Sequence, residues 1–337
     1  MKALVLNTPA PIETGPLQLA EREPPRPAAG QLLMRVAACG VCHSNLHMVE
    51  GDWLEGGIPS MLPIIPGHEV VGTVEEVGEG VTAFTPGDRI GIQPVWTTCG
   101  RCEFCLSGRE HLCQSKEIAG ETVDGGYAEY MLTDAEHTYA LPDELEFAEA
   151  APLFCPGITG LGSVLKVGAM PGKTVAVFGV GGVGHMVIQF AKLFGADVVA
   201  VSRSREHLAL AEEVGASRVV LAANGDAGEE LARTGGVDAS IVFAPSNASL
   251  EQAIRGTKPG GTIVTGVNCE VGAFPFAGEK ALVGSILGSR EQMRTVLRLA
   301  AAGKVRAIAE AFPLEEAETA LTRLKAGKVR GRAVLVT

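Results

Sequence analysis

Apolar positions in the first 150 or so residues come in short β-branched runs, ALVL, LLMRVAA, VVGTVEEVG, DRIGI and YAEYMLT, broken by Gly and Pro. That pattern predicts irregular antiparallel β structure. The PPRP segment at 24–27 lacks ladder donors and belongs in a connection. From about Leu161 the texture changes to apolar strands alternating with helical stretches, with strands expected at 174–178, 197–202, 218–221, 239–243, 262–266 and 281–286. Six such strands are what a complete doubly wound parallel sheet needs. In REHLALAEEVGA, Leu208, Ala211 and Val214 share a helical face and Gly215 marks its end. Beyond residue 288 the alternation stops. Ser289 with Gln292 reads as a capping box opening one helix, Leu314, Ala317, Leu321 and Leu324 stripe a second, and GRAVLVT is a strand expected to rejoin the first domain.

Composition narrows the function. With 46% hydrophobic and 20% charged residues in 337, the chain is globular and long enough for two domains. Its formal net charge of -11 excludes a surface built for nucleic acid or anionic lipid, so neither is expected as a partner. The N-terminal apolar run is too short for a signal-peptide core, and the apolar stretch near 175–201 is interrupted by glycines, His185, Lys192 and Asp197, so a cytoplasmic location is expected.

Eight cysteines in such a compartment point to metal ligation. Cys99, Cys102, Cys105 and Cys113 lie within fifteen residues, a spacing that suits a closed tetrahedral, structural zinc site. A disulfide pair and an iron–sulfur cluster are the alternatives. A second, dispersed set runs through CGVCHSNLH, PGHEVVG and LFCPGITG, where Cys42, His68 and Cys155 would leave one coordination position open. Taken singly, each has an ordinary reading: a buried thiol, a core histidine, a Cys39–Cys42 redox pair. The string FGVGGVGH adds Gly179, Gly181, Gly182, Val183 and Gly184 after the strand TVAVF, where amides at a helix start can hold a pyrophosphate. A nicotinamide and an open zinc site together imply hydride transfer.

These motifs, with Gly67-His68-Glu69 followed by Gly72, Gly78 and Val81, with GDW at 51–53 and with PGDRI at 86–90, resemble the zinc-dependent alcohol dehydrogenases of the medium-chain dehydrogenase/reductase superfamily over essentially the whole chain. The resemblance implies an α/β architecture, with a GroES-like β-rich catalytic domain over 1–155 and 288–337, a zinc lobe at 95–115, and a doubly wound parallel Rossmann domain over 156–287. It implies two zinc ions: Cys42, His68 and Cys155 as catalytic ligands, and the four-cysteine lobe as the structural site. Glu69 would be the carboxylate near the metal, and Ser44 and His47 the proton relay. His43 and Arg332 would contact the pyrophosphate and Thr159 the nicotinamide, while Trp53 and Trp96 would wall the substrate pocket or simply fill core. The metal would acidify an alcohol, and hydride would pass to nicotinamide C4. The expected substrate is a primary alcohol or aldehyde, and the expected assembly a homo-oligomer, tetramer or dimer. Polyol, formaldehyde and cinnamyl-type activities, a zinc-free quinone reductase and a cofactor-sensing module are the alternatives.

Two positions depart from the family. Asn45 stands where it usually has Asp, so its amide oxygen is expected to accept from His68 without lending a charge, leaving the imidazole less basic. At the end of the second Rossmann strand Ser202 and Arg203 replace the acidic residue that would bind NAD ribose, which favours NADP, with NAD as the alternative.

Overall fold

The computed structural model describes residues 1–222 and 225–337. Two compact units form, one from 1–155, 289–303 and 307–337, the other from 156–288 and 304–306.

The first unit is built on a seven-stranded sheet. Its order is Ala309–Pro313, Arg332–Val336, Gln31–Gly40, Val70–Val77, Arg89–Ile92 and Thr138–Ala140, with Tyr130–Asp134 also pairing to Gln31–Gly40. All pairings are antiparallel except the first. The last strand inserts against Gln31–Gly40, with Val334 opposite Gly40 and Leu335 opposite Cys39. One core runs beneath, from Leu4, Leu6 and Met34 through Val70 and Ile90 to Leu321 and Leu335. The Ser289 capping box forms: Ser289 N–H donates to Gln292 Oε1 at 2.9 Å, and the helix Arg290–Ala301 buries Met293, Val296 and Leu297. Leu314, Ala317, Leu321 and Leu324 are all buried, on a 3-10 turn and the helix Ala317–Lys325.

In the second unit six parallel strands lie in the order Arg218–Leu221, Asp197–Ser202, Thr174–Phe178, Val237–Val242, Thr257–Thr265 and Ala281–Gly284. This is the doubly wound order, whose central strands are apolar on both faces because helices cover both. Ala176, Phe178, Val199, Val201, Val242 and Ile263 form its core. The fourth and fifth strands begin earlier than the hydrophobic runs indicate. Thr257 pairs with Val237, then the register jumps to Thr262 against Ala239, because Lys258 to Gly261 bulges out and Gly260 takes φ +72°. Among the described residues, no single helix is long and apolar enough to cross a membrane.

One packing contact in the first unit fixes the position of Cys155. Phe154, fully buried, closes the 3-10 turn Ala151–Phe154 and directly precedes Cys155. Its ring lies against Gly91, where an added Cβ would come 2.5 Å from Phe154 Cε2. A buried ring cannot yield that space. Gly91→Ala is therefore expected to cost about 1–3 kcal/mol as overpacking. Urea denaturation measures it, and an unchanged midpoint would contradict the packing argument.

Candidate active site

Cys42, His68 and Cys155 come from three distant segments of the first unit. Cys42 caps the helix His43–Glu50, and its amide donates to Asn45 Oδ1 at 3.2 Å. His68 follows Gly67, whose φ of +103° turns the chain just ahead of the strand Val70–Val77. Cys155 ends the turn that Phe154 anchors. The Cys42 and Cys155 sulfurs are 4.0 Å apart, and the ligand atoms of Cys42, His68, Glu69 and Cys155 all lie within 4.8 Å of one another. Two sulfurs on one tetrahedral zinc at ~2.3 Å would be about 3.8 Å apart, so the residues fit the ion.

Charge is concentrated here without exposure. Glu69 and Arg332 are both buried and form a two-point pair: Arg332 Nε donates to Glu69 Oε2 at 3.1 Å and a terminal nitrogen to Oε1. Gly40 makes room for the carboxylate, since a Cβ there would lie 2.7 Å from Glu69 Cδ. Burial raises the Glu69 carboxyl's pKa, and the guanidinium works against that. The Cys155 thiol donating toward Cys42, helped by Arg332 and His68, pulls the Cys42 pKa well down, and Cys155 is pushed up in return. Burial disfavours a charge on His68, but Cys42, Glu121 and Glu69 outweigh it and hold the imidazole above its ordinary range. A site that stabilises one thiolate before any ion arrives is disposed to bind a cation.

Arg332, expected on a cofactor phosphate, thus has its guanidinium on Glu69 in the core of the first unit. The expectation for Asn45 also needs correction. Its oxygen takes hydrogen bonds from the Cys42 amide and, at 3.4 Å, from the Tyr127 hydroxyl, while Asn45 Nδ2 and His68 Nδ1 are both buried without a hydrogen-bond partner among the described residues. The oxygen is therefore committed elsewhere. Ser44 Oγ is 3.4 Å from His68 Nε2. One turn on, His47 Nδ1 is 2.7 Å from Asp52 Oδ2, and its ring lies 5.2 Å from that of Trp53 and 6.4 Å from that of His43. Burial lowers the His43 pKa. Trp96 packs on the core and donates Nε1–H to Leu132 O at 2.9 Å, which is a structural role.

The four lobe cysteines also converge, with Sγ–Sγ separations of 3.9 Å for Cys99–Cys105, 3.5 Å for Cys102–Cys105 and 3.6 Å for Cys113–Cys99. Backbone amides of Arg101 and Cys102 pointing at Cys99 lower its pKa to about 6. The strands Val95–Thr97 and Glu117–Ile118 pair to close the base of this lobe.

In the second unit the glycines of the turn expected to meet a phosphate differ in what each one requires. Gly179 takes φ +92° after the strand Thr174–Phe178, and a Cβ there would lie 2.7 Å from Ala244 N. Gly181 faces open space, and Gly184 starts a helix where a Cβ would lie 2.9 Å from Gly179 C. Gly182 and Val183 complete the turn, and Val183 caps the helix without a side-chain bond. Ser202 ends the next strand nearly buried, its hydroxyl accepting from Ser204 N at 3.2 Å, and Arg203 after it is exposed. Asp197 stands at the other end of that strand. Thr159 is buried on the helix Pro156–Val167.

Family models match twice: residues 28–143 as an alcohol dehydrogenase GroES-like domain and 182–302 as a zinc-binding dehydrogenase. An alcohol dehydrogenase of Geobacillus stearothermophilus is 43% identical over 327 residues, covering 95% of this chain and 96% of the relative. The chain belongs to the zinc-type medium-chain alcohol dehydrogenases. Among solved structures, an NAD-dependent alcohol dehydrogenase superposes with a TM-score of 0.92 at 32% identity, covering all of both chains. A cobalt- and zinc-bound thermostable alcohol dehydrogenase from Pyrobaculum aerophilum gives 0.90 at 31% identity, covering 100% of this chain and 99% of the other.

For this alcohol dehydrogenase, sequence reasoning missed Asp52, Glu121 and Tyr127. Asp52 had a signal, since it lies five residues after His47 where the helix ends. The other two reach the site from a distant loop that no local pattern flags. Replacing Arg332 with Leu strands a buried carboxylate and is expected to cost about 3–5 kcal/mol, whereas removing Glu69 as well recovers much of the loss. Denaturant midpoints of the double-mutant cycle measure this, and additive effects would contradict direct pairing.

Proposed function

We propose that the protein interconverts primary alcohols and aldehydes with NADP, using a catalytic zinc on Cys42, His68 and Cys155 and a structural zinc on Cys99, Cys102, Cys105 and Cys113. The observation that carries the reading is the convergence of the first three side chains, 4.8 Å or less apart, in a charge-rich buried corner. Zinc there would supply a Lewis acid that makes an alcohol hydroxyl acidic near neutral pH, and a nicotinamide would supply the hydride acceptor.

The chain's own residues handle the proton. Ser44 Oγ, beside His68 Nε2, would take it from the substrate hydroxyl while giving up its own hydroxyl proton to a relay that ends at His47. Asp52 accepts from His47 Nδ1–H, which fixes the tautomer and leaves His47 Nε2 as a base toward solvent. Trp53 flanks that base. For the cofactor, the Gly179–Gly184 turn holds the pyrophosphate, and Ser202 with the exposed Arg203 meets a 2′-phosphate. Self-association through the edge strand Ala281–Gly284 is supported by its position at the end of the sheet and by the exposed Phe276 and Ile286 nearby.

The deciding experiment follows reduced nicotinamide absorbance with a panel of primary alcohols and both oxidised cofactors. Turnover should appear, stop with a chelator and return with zinc. Cys42→Ala should lose turnover and one ion per chain, while Cys102→Ala should mainly lower the melting temperature. Full turnover in Cys42→Ala would refute the catalytic assignment. Arg203→Ala should reduce kcat/KM with NADP about tenfold or more, with little change for NAD. A strong preference of the unaltered enzyme for NAD would overturn the choice of NADP.

A further inference from the structure

His68 has two ring nitrogens, and only one is accounted for. Nε2 faces Ser44 at 3.4 Å and Glu69 at 3.9 Å, on the metal side. Nδ1 is buried and has no hydrogen-bond partner among the described residues. A buried N–H left unmatched costs about 1–3 kcal/mol. Histidines that ligate metals almost always give that proton to a carboxylate, a carbonyl or water, which orients the ring and raises its basicity. Asn45 does not do this, because its oxygen is held by Cys42 N and Tyr127 Oη.

A carboxylate faces Nδ1 from another direction. Glu121 Oε1 stands 3.8 Å from it, on a side chain only 13% exposed. Its placement is built into the backbone. Gly125 N–H donates to Ile65 O at 2.7 Å, Gly126 N–H to Gly67 O at 3.0 Å and Tyr127 N–H to Pro66 O at 2.9 Å, while Asp124 Oδ1 accepts from Ile65 N–H at 2.8 Å. Gly120 packs so tightly that a Cβ would come 2.5 Å from Gly67 N. The 120–127 loop is thus clamped onto the segment that carries His68, and Ser60 N–H, donating to Glu121 O at 3.0 Å, holds the glutamate's own backbone.

We propose that Glu121 is the positioning residue for His68, accepting the Nδ1–H hydrogen bond and supplying the negative charge that position 45 lacks. The present separation of 3.8 Å exceeds a hydrogen bond by about 1 Å, which a change of the glutamate's side-chain rotamer would have to close. The charge beside the ligand histidine has been moved from the helix that follows Cys42 to the loop that packs on Gly67. On this account the imidazole is not the weakly basic ligand that Asn45 alone would produce.

The proposal rests on the reading of Cys42, His68 and Cys155 as a zinc site, and the test separates the two. Zinc content and affinity are measured by chelator competition on the full chain, for the unaltered protein, Cys42→Ala and Glu121→Gln, with the four-cysteine ion as internal control. Cys42→Ala should lose one ion outright. Glu121→Gln should keep two ions but bind the weaker one 10- to 100-fold less tightly, and cobalt(II) loaded in its place should show a shifted d–d spectrum. Affinity and spectrum unchanged in Glu121→Gln, with Cys42→Ala down by one ion, would overturn the role of Glu121 alone. Two ions retained by Cys42→Ala would overturn the site and this proposal with it. A measurement that needs no variant is the ring 15N spectrum of the zinc-loaded protein: His68 Nδ1 should carry a slowly exchanging, strongly hydrogen-bonded proton, and rapid exchange with water would contradict the proposal.

Discussion

The buried pair between Glu69 and Arg332 is the constraint around which the first unit is organised. Taking two ions out of water costs several kcal/mol for each, and only close, two-point geometry repays it. Here that geometry exists because three backbone segments run side by side: Gly40 N–H donates to Glu69 O at 3.0 Å, and Val41 N–H to Ala333 O at 2.9 Å. A strand slipped by one residue would turn one of the two charges to the other face and leave the other in the core without a partner. The pair therefore enforces the pairing register of segments far apart in the chain, and it does so directly beside the sulfurs of Cys42 and Cys155.

The two cysteine sites show two physical routes to a metal-ready thiolate. In the lobe, Cys99 is stabilised by nearby backbone amides, a local device that a short, glycine-spaced loop can provide by itself. At Cys42 the stabilisation comes from a neighbouring thiol, a guanidinium and an imidazole drawn from elsewhere in the chain. The first arrangement is compact and legible as a motif. The second depends on the completed sheet.

Legibility followed the same division. Three of the six parallel strands of the second unit, at 174–178, 197–202 and 218–221, were readable to the residue because burial on both faces leaves apolar runs. The early start of the fifth strand was hidden by Lys258 to Gly261, whose one proline and two glycines read as a break although the pairing resumes beyond them. In the first unit Thr138–Ala140 and Ala309–Pro313 carried no readable strand pattern, and the order of the others was hidden, since one partner of Gln31–Gly40 lies some three hundred residues away. The candidate ligand residues could be proposed from type and motif. The partners that tune them, Arg332 for Glu69 and Glu121 for His68, could not, because proximity between distant loops leaves no periodic trace.

The glycine-lined contacts at Gly40, Gly67, Gly120 and Gly125 leave the main chain around the ligands no slack, since a methyl group at any of them would collide with backbone or buried atoms. Mutation can therefore explore this corner only through the side chains that point into it, chiefly those at 45 and 121. A lineage could retune how strongly an ion bound there would pull on electrons by exchanging an amide and a carboxylate between those two places, while the scaffold itself is inherited intact.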